Sequence, residues 1–124
     1  MPALASHRAS CSIVLLNGAL ERIALARHSM ECAELGEQSR LLHTAASIID
    51  ALRADLDLGR GGPLAANFDD LYDYLARRLN TADRHSDPWI LDEVADLLHE
   101  VRSAWAVLAP NARGQREPAP AIRE

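Results

Sequence analysis

Residues 63–108 read PLAANFDDLYDYLARRLNTADRHSDPWILDEVADLLHEVRSAWAVL, and this stretch decides the fold. Leu64, Phe68, Leu71, Leu75 and Ala82 recur at helical spacing, with Leu79 beside them, Tyr72 further round on the same side and Tyr74 flanking the opposite side. That is the period of a helix with one apolar face, not the two-residue alternation of a strand. Asp87-Pro88 then opens a second such segment: a carboxylate caps the first free N–H groups, and proline at the first helical position gives up no hydrogen bond. This segment carries Leu91, Val94, Leu98, Val101, Trp105 and Leu108, with Ile90, Leu97 and Ala104 alongside, and Pro110 stops it. Asp92, Glu93 and Asp96 fall in its early turns, where the helix dipole favours negative charge.

Working upstream, Pro63 marks the start of the first of these helices, and Gly59-Arg60-Gly61-Gly62 before it reads as a loop. From about Glu37 to Asp57 a central stripe of Leu41, Ala45, Ile48, Leu52 and Leu56 is widened by Leu42 and Ile49. From about Ser10 to Leu35 the chain is apolar over more than half of a helical circumference: Ile13, Leu16, Leu20, Ile23 and Met30 mark one stripe, while Val14, Leu25 and Cys32 fall on the far side. Gly36 is expected to take the left-handed position that ends this helix. Four helices, at about 10–35, 37–57, 63–82 and 87–108, match in length and are joined by short connections. The expected fold is therefore all-α, an antiparallel up-down-up-down four-helix bundle. Residues 1–9 are expected as a short N-terminal arm. The Pro/Arg-rich segment 109–124 lacks an apolar period and is expected as a disordered tail.

Composition narrows the function. The chain has 124 residues, enough for one core, and a formal net charge of −5. Such a chain is not suited to neutralising nucleic-acid phosphate or an anionic membrane. All 13 basic residues are Arg, which removes every lysine-dependent chemistry. Cys11 and Cys32, on one helix, are separated by about 31 Å and cannot form a disulfide within the chain, so a reducing compartment is the simpler setting. No signal peptide or membrane-inserting segment is read at the start, which points to the cytoplasm.

No catalytic or metal constellation emerges. The carboxylate-bridged metal bundles use Glu-x-x-His pairs; here Asp96-Leu97-Leu98-His99 is the nearest approach and occurs once. The five histidines are never three or four residues apart. Asp69, Asp70 and Asp73 read as a solvated face, with Asp73 placed to pair with Arg77. Glycine-rich phosphate loops and Gly-x-Ser-x-Gly elbows are absent. The expectation is a protein that is not an enzyme and uses no cofactor or metal. What remains is apolar surface wider than two-helix contacts require. On pattern alone it is either all core, a self-association face, or a groove for an amphipathic segment.

The stretches Leu15-Leu16-Asn17-Gly18-Ala19-Leu20 and Ala45-Ala46-Ser47-Ile48-Ile49-Asp50-Ala51-Leu52 resemble the flagellar secretion chaperone FliS family. So do the block Asn67-Phe68-Asp69-Asp70-Leu71-Tyr72-Asp73-Tyr74 running on to Arg77-Arg78-Leu79, and the ending Arg102-Ser103-Ala104-Trp105. The resemblance spans roughly residues 13–108. It implies a cytosolic bundle that binds the disordered C-terminal segment of flagellin, prevents its premature polymerisation and assists delivery to the flagellar type III export apparatus. Contact with an export gate component would be made through the chaperone–client complex. Two departures stand out: the family's longer, Tyr-containing N-terminal arm is here about ten residues without Tyr, and Leu16 occupies a position that is commonly aromatic. The stripe edges of helices two and three, Ile48, Ile49, Leu52, Tyr72, Leu75 and Leu79, with Leu42 and Leu98, are the expected client groove. A helical dimerisation or adaptor protein without a flagellin client is the alternative.

Overall fold

The computed structural model describes residues 2–108, with side chains from 9 to 107. Four helices follow one another: α1 (Pro2–Glu31), α2 (Leu35–Ala54), α3 (Leu58–His85) and α4 (Pro88–Leu108). The expected tail, 109–124, lies outside the described residues.

The expected arm does not hold as a separate element, because α1 begins at Pro2. The segment is rich in Ala and contains no internal glycine or proline, so nothing in it interrupts helix propagation, and Pro2 costs nothing in the first turn. The end of α1 also differs from expectation. Ala33, not Gly36, takes the left-handed conformation, at φ 57°. The Glu34 N–H donates to the Ser29 carbonyl at 2.9 Å and the Ala33 N–H to Met30 at 3.1 Å, a Schellman closure. Gly36 lies inside the first turn of α2.

The expected loop at Gly59–Gly62 is largely one helical turn. The Asp57 carboxylate accepts from the Arg60 N–H at 3.1 Å and starts it, and Gly62, at φ 59° and ψ −140°, breaks it. Pro63 restarts the helix, as its geometry allows. At the far end of α3, Ser86 adopts φ 48°, and the Asp87 N–H reaches back to Ala82 at 3.1 Å. The Asp87 side chain then accepts from the Trp89 N–H at 3.0 Å, so one residue closes α3 and caps α4.

Loops of two or three residues force each helix to run antiparallel to the one before it. α1 packs on α2 and α4, and α3 packs on α2 and α4, with no close backbone approach across the diagonal among the described residues: a square bundle in up-down-up-down order. Its core includes Leu16, Ile23, Leu42, Ile49, Tyr72, Leu75, Leu91 and Leu98. A buried aliphatic side chain of this size contributes about 1.5–3 kcal/mol. Small residues bring α1 close to α2: Ala19, Ala26 and Ala45 are fully buried. Polar seams register the other helix pairs. Arg27 grips Asp92 through Nε at 2.8 Å and Nη2 at 3.1 Å (α1–α4). Arg53 grips Asp69 at 2.7 Å and Asp73 at 3.1 Å (α2–α3). Over Ala9–Glu31, α1 is long and apolar enough by composition to cross a membrane; in the bundle its Leu16, Ala19, Ile23 and Ala26 face is core.

Candidate functional site

The eight expected groove residues do not share one surface. Leu42, Ile49, Leu52, Tyr72, Leu75, Leu79 and Leu98 are buried in the core, and Ile48 alone is half-buried. The reason is the square packing. A helix at a corner of four buries a face broad enough to meet two neighbours, so stripes that look wide for one contact are consumed by two.

Apolar surface is found at the rims of these stripes. Between α3 and α4, Leu71, Tyr74 and Leu97 pack against the core while keeping a solvent-facing edge. Tyr74 donates its hydroxyl to Glu93 in a short hydrogen bond, and Arg78 donates to the same carboxylate at 3.0 Å while lying 6.0 Å from the Tyr74 ring centre. The hydrogen bond to Glu93 raises the Tyr74 pKa above its ordinary value, and the same bond, with Arg78, lowers that of Glu93. On α1, Val14 and Leu25 are 69% and 51% exposed, as expected of the far side, and Leu15 is also exposed.

At the end of the bundle where α3 begins and α4 finishes, Phe68, Tyr72 and Trp105 form a ring cluster. Phe68 stacks on Trp105 with centroids 5.1 Å apart and on Tyr72 at 6.0 Å. The Trp105 indole N–H donates to the Tyr72 hydroxyl at 2.9 Å. Burial pushes the Tyr72 pKa up, against a smaller opposing effect of that bond. Trp105 is half-buried, packed on the core.

At the opposite end, the buried Gln38 side chain donates to the Asp83 carboxylate at 2.9 Å, to the Asp83 carbonyl at 3.2 Å and to Ser86 at 3.3 Å. Ser39 donates to both Asp83 oxygens, at 2.9 and 3.0 Å. This clip ties the start of α2 to the end of α3. Helical periodicity had no way to reveal it, since Gln38 sits at a core position as a polar residue.

The acidic run is more than a solvated face. Asp69 and Asp73 both accept from Arg53, while Asp73 also accepts from Arg77 at 3.1 Å, as its four-residue spacing implied. Arg53 holds the Asp69 pKa below the ordinary carboxylate value. Among the described residues, no three His, Cys, Asp or Glu side chains come together to hold a metal. The arrangement presents apolar edges between charged seams.

Comparison with known proteins identifies the family. The family model described as flagellar protein FliS matches residues 4–112. The chain is 47% identical over 92 residues to the flagellar secretion chaperone FliSB of Pseudomonas aeruginosa, covering 74% of this chain and 73% of that protein. It is 36% identical over 103 residues to the flagellar secretion chaperone FliS of Salmonella typhimurium, covering 82% and 76%. It is 33% identical over 97 residues to that of Vibrio cholerae, covering 78% and 71%. With a family match across nearly the whole bundle and relatives aligned over most of both chains, this chain belongs to the FliS family of flagellar proteins.

Proposed function

We propose that this protein is a cytosolic flagellar export chaperone whose client is the C-terminal segment of flagellin. In this reading it holds that segment apart from other flagellin molecules and presents it to the flagellar type III export apparatus, meeting an export gate component as the chaperone–client complex. Its action is binding, not catalysis, and it needs no cofactor, metal, nucleic acid or membrane insertion. The observation that carries the reading is membership of the FliS family across residues 4–112, with relatives named as flagellar secretion chaperones.

The chemistry of the surface supports it. A segment that assembles through an apolar stripe needs an apolar edge to rest on, and orders only when it binds. Ile48 on α2, and Leu71, Tyr74 and Leu97 along the α3–α4 seam, offer such edges. Leu42, Ile49, Leu52, Tyr72, Leu75, Leu79 and Leu98 lie beneath the surface and reach a client only where the bundle loosens. The test is to follow polymerisation of the host's flagellin by light scattering, with and without an equimolar amount of the protein. Suppressed filament growth supports the reading, and unchanged growth contradicts it.

A further inference from the structure

α4 carries four carboxylates, Asp92, Glu93, Asp96 and Glu100, and neighbouring helices engage two of them. Asp92 is held by Arg27 of α1, and Glu93 by Tyr74 and Arg78 of α3. Asp96 and Glu100 are exposed and have no hydrogen-bond or ion-pair partner among the described residues. They stand four residues apart, a spacing at which like charges on a helix repel. The one arginine of α4, Arg102, is turned to Asn17 of α1 at 2.8 Å and gives them no relief. At about 100° per residue, Glu93, Asp96 and Glu100 fall within about 60° of one another, on the outer side of Leu97. They flank the apolar edge that Leu71, Tyr74 and Leu97 form between α3 and α4. On the α3 side of that edge, Asp70 is likewise exposed and without a partner among the described residues.

The chain itself contains the complement. After Leu108 it reads Ala-Pro-Asn-Ala-Arg-Gly-Gln-Arg, with Arg113 and Arg116 and no acid before Glu117. Pro110 cannot continue α4, and α4 delivers this segment to one end of the α3–α4 seam. Measured back along α4 from Leu108, Glu100 lies about 12 Å away and Asp96 about 18 Å. An extended chain reaches about 16 Å by Arg113 and about 26 Å by Arg116. We propose that residues 109–124 fold back along the α3–α4 seam, with Arg113 and Arg116 paired to Glu100 and Asp96, and compete with the client for the edge of Leu71, Tyr74 and Leu97.

Charge and tether together name the occupant. Two exposed ion pairs and a narrow apolar edge hold a free peptide weakly. A segment joined at Leu108 faces the same edge at an effective concentration in the millimolar range, where the same contacts suffice. Its alanines and prolines offer small apolar groups to Tyr74 and the two leucines, and a proline-rich chain loses little entropy on an aromatic edge. The competition rests on the client function proposed above; the docking does not.

The full-length chain, with Cys11→Ser and Cys32→Ser, is labelled with a nitroxide through Gly114→Cys, and its amide NMR signals are recorded. The expected result at low salt is paramagnetic broadening at Leu71, Tyr74, Leu97 and Glu100, while the outer face of α2, marked by the exposed His43 and Ser47, is unaffected. Arg113→Glu with Arg116→Glu removes the broadening from Tyr74 and Leu97, as does salt at about 1 M, which screens exposed pairs. Adding Asp96→Arg and Glu100→Arg to the reversed segment restores it. Broadening confined to the last turn of α4, or unmoved by the charge reversal, overturns the docking. Titration with the host's flagellin monomer then reads the competition. A segment docked for about half to nine-tenths of the time weakens the client about two- to tenfold. Arg113→Glu with Arg116→Glu therefore tightens client binding by that factor, and the four-residue exchange returns it to its starting value. Client affinity unmoved by the reversal overturns the competition. Failure of every variant to bind flagellin contradicts the client reading and with it the competition, while the broadening alone decides the docking.

Discussion

Trp105 on α4 donates its indole N–H to the hydroxyl of Tyr72 on α3 at 2.9 Å, while the buried Tyr72 ring forms part of the core. This bond joins the two helices that carry all five of the chain's Phe, Tyr and Trp rings. Tyr72→Phe leaves ring packing nearly intact but removes the acceptor for a half-buried N–H. The expected loss is about 1–2 kcal/mol, read as a lower urea midpoint at unchanged slope. Trp105→Phe, which removes the donor as well as part of the stack on Phe68, should cost at least as much.

Two glycines differ in what they do. Gly62 breaks α3 at φ 59° and ψ −140°, a conformation essentially closed to other residues. Gly62→Ala should destabilise by about 1–3 kcal/mol. Gly36 lies in the first turn of α2 with no atom within 4 Å of an added Cβ, so Gly36→Ala should stabilise by up to about 1 kcal/mol. Thermal denaturation of the two variants should move in opposite directions.

Ala33 is the residue held left-handed at φ 57°. Its Cβ is strained there by roughly 1–2 kcal/mol, and Ala33→Gly relieves that strain at a smaller entropic cost to the unfolded chain. The melting temperature should rise; a fall would mean that the α1–α2 turn is not closed in this way.

Acid should loosen the helix seams in a defined window. Asp69, beside Arg53, Asp92, beside Arg27, and Glu93, bonded to Tyr74 and Arg78, are all held below their ordinary pKa in the folded protein. A carboxylate with a depressed folded pKa contributes stability that is complete above its unfolded value and is lost as pH falls through the folded one. Stability should thus be flat above about pH 5 and decline from about pH 4 downward. Asp92→Asn, which cannot titrate, should flatten part of that decline. The loss should be modest, because these groups are partly exposed.

The helical period of residues 63–108 was enough to place α3 and α4 in sequence, and Asp87-Pro88 marked the start of α4 where the structure has it. Periodicity gives the direction of an apolar stripe but not its depth. For this reason Ile49, Leu52, Leu75 and Leu79 read as a possible groove although the square bundle buries them. The turn after α1 was misplaced because glycine is the usual left-handed residue, and here hairpin geometry imposes that conformation on Ala33 while Gly36 is helical. The early start of α1 was missed because residues 2–9 have helix-forming composition without an apolar period. The Gln38–Asp83–Ser86 clip joins residues more than forty positions apart and left no local mark.

The central claim is a specific complex with the end of flagellin. Isothermal titration of the host's flagellin monomer into this protein, repeated with flagellin lacking its last ~40 residues, tests it most directly; that length is set by a client segment longer than a single helix of about 30 Å. A saturable one-to-one complex with the intact client is expected, with no heat of binding from the truncated one. Equal binding of both, or binding of neither, would contradict it.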